Sequence, residues 1–213
     1  MVTSTYPQSI EEFCNIFPHF RPIYDYKVRH YILRDHTNLV LNQFDKYFSN
    51  RFNAKERELI RFFLIIHDIG KPRAFEEGDI SIQHDHSIKI IKEFWFKISE
   101  SQKDLNKVLL LLKGDYIGEY FQNKHDVAFL SGYILNGCKR LSTTPEKLLK
   151  LFLVYYQCDT AAYTQDAGGS KFLEHLFCYK DGIKIFDKEE GLFRFSCIYW
   201  HRYLKIKNEI LRW

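Results

Sequence analysis

Apolar residues recur at spacings of three and four between Tyr26 and Phe48, at Val28, Tyr31, Ile32, Leu39, Val40, Phe44 and Tyr47. That period predicts a helix with one buried face, and His36 lies in its middle. Asn53 to Glu56 reads as an N-cap with a capping-box acid, opening a second helix through Leu59, Phe62, Phe63 and Ile66. Gly70 is expected to cap its C-terminus with Pro72 beyond, which puts His67 and Asp68 on its last turn. The polar stretch 73–79 reads as a loop, followed by helices over about 81–98 and 104–113, the latter broken by Gly114 with Asp115 at its end. Helices are also expected over 126–138 and 145–163, the second with Thr144 as N-cap, Pro145 at the first position and Asp159 within it. Beyond Gly168 and Gly169, the stretches 183–186 and 192–195 could pair as a small hairpin before a final helix. Residues 1–22, with Pro7, Pro18 and Pro22, read as an arm packed on the surface.

Composition narrows the class. A chain of 213 residues can bury a sizeable core and is read as one domain, with the arm at 1–22, a core at 25–165 and a C-terminal extension at 170–213. Hydrophobic content of 46% with 17% aromatics excludes a disordered chain. No apolar run approaches the roughly 20 residues that span a bilayer. The five cysteines show no CxxC spacing and the N-terminus lacks a secretory pattern, so a cytoplasmic protein with reduced thiols is expected. The net charge of +4 comes from interleaved Lys, Arg, Asp and Glu, without the basic patch of a dedicated nucleic-acid binder.

The chemistry concentrates in His67-Asp68-Ile69-Gly70-Lys71, which closes the apolar run 62–66. Burying an adjacent His and Asp without partners costs several kcal/mol on the order expected for unpaired polar and charged groups, and a divalent cation would compensate them. His36, His67, Asp68, His84 and Asp159 lie on four separate predicted helices and can converge only through the fold. Gly168 and Gly169 either let backbone amides approach an anion or close a helix C-cap and turn.

The ordered series Asp35-His36-Thr37-Asn38, then Ile66-His67-Asp68-Ile69-Gly70-Lys71-Pro72, then Gln83-His84-Asp85-His86-Ser87, then Cys158-Asp159-Thr160-Ala161 resembles the HD-domain metal-dependent phosphohydrolases over residues 25–165. The resemblance implies an all-α, HD-domain-like helical bundle, to which the C-terminal hairpin would be added. It implies His36, His67, Asp68 and Asp159 as metal ligands, leaving positions for water and a phosphate oxygen. Lys71 would face the substrate phosphate, and Asp68 would bridge or assist the base. His84 is the preferred acid or phosphate contact, with His86 as a further substrate-binding candidate. Two-metal relatives add a histidine on the next helix. Here His84, Asp115 and His125 are the candidates for a second ion, and a single metal is the default.

Imidazole and carboxylate donors suit Mn, Fe, Ni, Co or Zn, with Mg as a further candidate, and the sequence does not choose among them. The expected activity is hydrolysis of a phosphoester or phosphodiester of a nucleotide or other small phosphorylated substrate. The alternatives are an inactive metal-stabilised module that senses a nucleotide or binds a protein, and a nuclease, which the weak charge disfavours. No membrane partner is expected, and the aromatic C-terminal segment is a place for a homo-oligomer contact.

Overall fold

The computed structural model describes residues 6–113 and 115–213. The fold is all-α with short two-stranded hairpins, and the chain divides into two compact units, one spanning 1–114 and the other 115–213. Gly114, expected to break a helix, lies outside the described residues. No helix among those described is long and apolar enough to cross a membrane.

The first unit carries α1 (Ile10–Ile16), α2 (Arg21–Tyr24), a hairpin of β1 (Lys27–Val28) and β2 (Tyr31–Ile32), α3 (Leu33–Gln43), α4 (Ala54–Ile66), α5 (Lys71–Glu76), α6 (Gln83–Phe94) and α7 (Gln102–Leu112). At its centre is α4. Asn53 caps it, its side-chain oxygen accepting from the Glu56 amide at 3.0 Å. From Leu59 onward almost every residue is buried, so the helix is apolar all round and other elements must wrap it. The segment read as a surface arm is one of them. Phe13 is fully buried against Phe17, Phe20, Phe62 and Phe94, and Tyr6 stacks on Phe62 while its hydroxyl donates to Asp104 at 2.9 Å. Burying that many aromatic rings outweighs the proline-rich punctuation that suggested an arm.

Two further expectations change. The helix expected from Tyr26 starts only at Leu33, because the chain first turns through Arg29 (φ 52°) and pairs Val28 with Tyr31. The expected loop 73–79 is mostly helix, since Pro72 lies in the first turn of α5 rather than following α4 as a stop. Proline has no amide to place in a first helical turn, so it opens a helix as readily as it ends one. The turn after α5 is made by Gly78, whose φ of 75° suits glycine.

The second unit carries α8 (Tyr116–Phe121), α9 (Val127–Leu141), α10 (Pro145–Ala162), β3 (Tyr179–Lys180), β4 (Ile183–Lys184), β5 (Phe186–Asp187), β6 (Leu192–Phe193) and α11 (Cys197–Ile210). Thr144 caps α10 and Pro145 takes its first position, as expected. The expected hairpin forms, with Phe186 opposite Phe193, and a second one pairs Lys180 with Ile183. Two buried polar side chains hold these hairpins. Gln157, in the middle of α10, exchanges two hydrogen bonds with the Phe193 backbone at 2.8 and 2.7 Å. Lys184 reaches the end of α10, donating to Thr164 at 2.6 Å and pairing with Asp166. Within the aromatic stretch 193–200, Phe193 and Phe195 are buried, while Arg194, Cys197 and Ile198 are exposed.

Burial opposes ionisation of Asp166, but Lys184 and Thr164 overcome it and hold the carboxyl below its usual 3.8. A depressed carboxyl stabilises the fold above the ordinary value and loses that contribution as pH falls through its folded value, here below 3.8. Lys184→Met should cost about 1–3 kcal/mol in urea unfolding by removing the charged partner of the partly buried Asp166 carboxylate. Combining it with Asp166→Asn should recover most of that loss. Full stability in the single variant would show that the pair does not anchor the hairpin.

Candidate metal centre

His36 belongs to the stripe of α3 that also buries Leu33, Thr37 and Val40, at the i, i+3, i+4, i+7 spacing of one helix face. The fold of α3 against α4 therefore turns an imidazole inward along with apolar neighbours. His67 and Asp68 follow α4 directly. All three are buried, His36 at 3% exposure, His67 at 1% and Asp68 at 6%.

The end of α4 explains how His67 is oriented. The last carbonyls of a helix lack partners within it and must find them elsewhere. Leu64 O accepts from His67 Nδ1 at 2.7 Å, Ile65 O from the Tyr24 hydroxyl at 3.0 Å, Ile66 O from the Ile69 amide at 3.2 Å and His67 O from the Ser87 hydroxyl at 3.2 Å. Because a carbonyl can only accept, Nδ1 of His67 carries a proton, which in the neutral ring leaves the lone pair on Nε2. That nitrogen lies 3.5 Å from Asp68 Oδ2, and His36 Nε2 lies 3.9 Å from the same oxygen. The ligand atoms of His36, His67 and Asp68 fall within 4.8 Å of one another, and the group could hold a metal ion. Two imidazoles and a carboxylate, one ring fixed by a backbone carbonyl, match the donor chemistry of a divalent transition metal. Asp159, the other predicted ligand, is half-buried on α10 of the second unit.

Gly70 serves a different purpose from the one expected. Its φ of −88° is ordinary, so it is not a left-handed cap. A Cβ there would lie 2.3 Å from Ser87 N and 2.6 Å from Gln83 O, so the glycine lets the first turns of α6 press against the motif. Ser87 then accepts from the Gly70 amide at 3.0 Å while donating to His67 O. This serine was not singled out by sequence reasoning. Its only signal was its place in the His84–Ser87 segment, one turn after His84.

Lys71 starts α5, where the helix dipole does not favour a cation. Its ammonium donates to Asp68 Oδ2 at 2.5 Å and to the Tyr31 hydroxyl at 3.2 Å. His84, half-buried near the start of α6, has Gln83 as its neighbour at 3.5 Å. His86 is bonded to Glu77 at 2.9 Å. Together with the guanidinium of Arg73, His86 keeps the Glu77 carboxyl below its usual range.

The proposed second-metal residues have other tasks. Asp115 caps α8, accepting from Gly118 N at 2.9 Å, and His125 pairs with Glu119 at 3.0 Å and stacks on Phe129. Burial by the surrounding chain, then the charges of Asp159 and Glu119, raise the Asp115 carboxyl. The residue's own solvent exposure moderates that effect. Neither Asp115 nor His125, nor His84, belongs to a group of three or more convergent ligand atoms among the described residues. Gly168 and Gly169 donate their amides to Gln165 O and Thr164 O, so the pair closes a turn rather than cradling an anion. A cleft of about 660 Å³ opens beside that turn, lined by Gln165, Asp166, Glu174, His175, Tyr179 and Gly182.

Comparison of the chain with protein-family models, with curated proteins and with solved structures finds no match.

Gly70→Ala should destabilise the first unit by about 1–3 kcal/mol, because the obstructing atoms are backbone and cannot swing away. Ser87→Ala should cost a similar amount by leaving the Gly70 amide buried and unsatisfied. Both are read by chemical denaturation, and a loss below about 0.5 kcal/mol in Gly70→Ala would refute the close approach of α6.

Proposed function

We propose that His36, His67, Asp68 and Asp159 together hold one divalent metal ion and that the chain is a metal-dependent phosphohydrolase of the HD-domain kind. The substrate class is a nucleotide or other small phosphorylated molecule. The observation that carries this reading is the approach of two imidazole Nε2 atoms to Asp68 Oδ2, with the His67 tautomer set by Leu64 O.

A bound ion would supply Lewis acidity, activating water and polarising a phosphoryl oxygen. The chain's own residues do the rest. His36 and His67 offer neutral nitrogen donors, and the carboxylates of Asp68 and Asp159 offset the ion's charge. Lys71 brings a buried cation to the place where negative charge develops. His84 stands on the helix that Gly70 admits to the motif, and it is the proton donor to the leaving group in this reading.

Elemental analysis of the purified chain should find about one transition metal per molecule and little in Asp68→Ala or Asp159→Ala. Turnover on a phosphoester panel should fall on the order of a hundredfold or more in either variant, exceeding the loss typical of outer-shell changes. Bound metal without turnover on any phosphoester would favour a metal-stabilised binding module. Absence of metal after dialysis against Mn, Ni, Fe and Zn would end the hydrolase reading.

A further inference from the structure

Asp68 Oδ2 is the oxygen that both imidazoles face, and it is also the oxygen that holds Lys71 at 2.5 Å. Lys71 is itself buried, at 8% exposure, so its ammonium needs a counter-charge close by. Tyr31 also contacts it, its hydroxyl accepting from Nζ at 3.2 Å and its ring centroid lying 5.8 Å away. Tyr31 is presented by the β1–β2 hairpin, directly before α3, which carries His36. The ammonium thus bonds both the Asp68 carboxylate and Tyr31, and its backbone is tied down by the Lys71 N to Asp68 O bond at 2.9 Å.

A divalent cation and an ammonium cannot both use one buried carboxylate oxygen at contact distance without strong repulsion, since little water screens them there. On the metal-site reading above, we propose that Lys71 and the metal alternate at Asp68. Without an ion, Lys71 is the carboxylate's counter-charge. With the ion in place, Lys71 is displaced, remains held near Tyr31, and becomes the binding group for an anionic phosphoryl oxygen. Metal uptake then creates the anion site. By linkage, an anion on Lys71 must strengthen metal binding by the same factor that metal strengthens anion binding. Lys71 in this scheme tunes ion occupancy to the presence of substrate, which is a role distinct from stabilising charge during the reaction.

The test is calorimetric titration of the full chain with Mn²⁺ alone, in the presence and absence of inorganic phosphate, for the wild type, Lys71→Met and Lys71→Gln. Folding is verified by circular dichroism, and two neutral variants guard against one failing to fold. Both variants should bind Mn²⁺ about tenfold more tightly than the wild type, within the usual range of coupling between sites. Phosphate should tighten Mn²⁺ binding at least about fivefold in the wild type, and this gain should vanish in both variants. Complexation of Mn²⁺ by phosphate in solution is common to all three proteins and cancels in the comparison.

Equal or weaker Mn²⁺ binding in the variants would overturn the alternation while leaving the metal site standing. Phosphate coupling that survives without Lys71 would overturn its second half. A wild type that takes up neither Mn²⁺ nor Zn²⁺ would overturn the metal reading itself and this proposal with it.

Discussion

A carboxylate buried to 6% exposure is the constraint around which the first unit is organised. Asp68 cannot remain ionised there without positive charge or hydrogen-bond donors, because desolvation penalises the charged form more than any single neutral contact repays. Lys71 meets this demand from α5, donating to Oδ2 at 2.5 Å, while His67 at the end of α4 and His36 on α3 bring their Nε2 atoms to 3.5 and 3.9 Å from the same oxygen. A site able to hold a cation and a fold able to bury a carboxylate are here one requirement.

The same economy governs the end of α4. A buried helix terminus leaves carbonyls that must be satisfied, and four successive ones are met by a histidine ring, a tyrosine hydroxyl, a backbone amide and a serine hydroxyl. His67 is therefore both the partner of its helix end and a candidate ligand, and the first role prepares the second. Donation from Nδ1 directs the lone pair of Nε2 away from the helix and toward Asp68. Removing the apolar run before it would disturb the ligand by releasing the helix end.

Much of this was legible in the residues. The cap at Asn53, the apolar run into His67, the cap and proline at the start of α10 and the pairing of Phe186 with Phe193 all rest on local rules, and each appears in the structure. That a helix carries His36 was read from the apolar period, while its inward face appears in the structure, on the stripe with Leu33 and Val40. What escaped prediction depended on contacts distant in the chain. Tyr6 and Phe13 are core residues because aromatic rings from α4 and α6 receive them, and nothing local to residues 6–13 announces that. The helical α5 was hidden because Pro72 carries the same sequence signal whether it ends one helix or begins the next. Gly70 was recognised as special for the wrong reason, since a glycine that permits close approach and one that permits a left-handed turn are the same letter.

Lys71 shows most clearly what a motif does and does not convey. The family resemblance aimed it at a substrate phosphate. The fold starts a new helix at Lys71, and a residue three positions after Asp68 across such a turn also returns over that carboxylate. A buried lysine so placed is held by its pair with Asp68, a charge, and by the hydroxyl of Tyr31, a dipole. Whatever cation or anion enters this site must therefore contend with an ion pair already made. The energetics of occupancy belong to the exchange of partners at one oxygen, not to the filling of a passive hole.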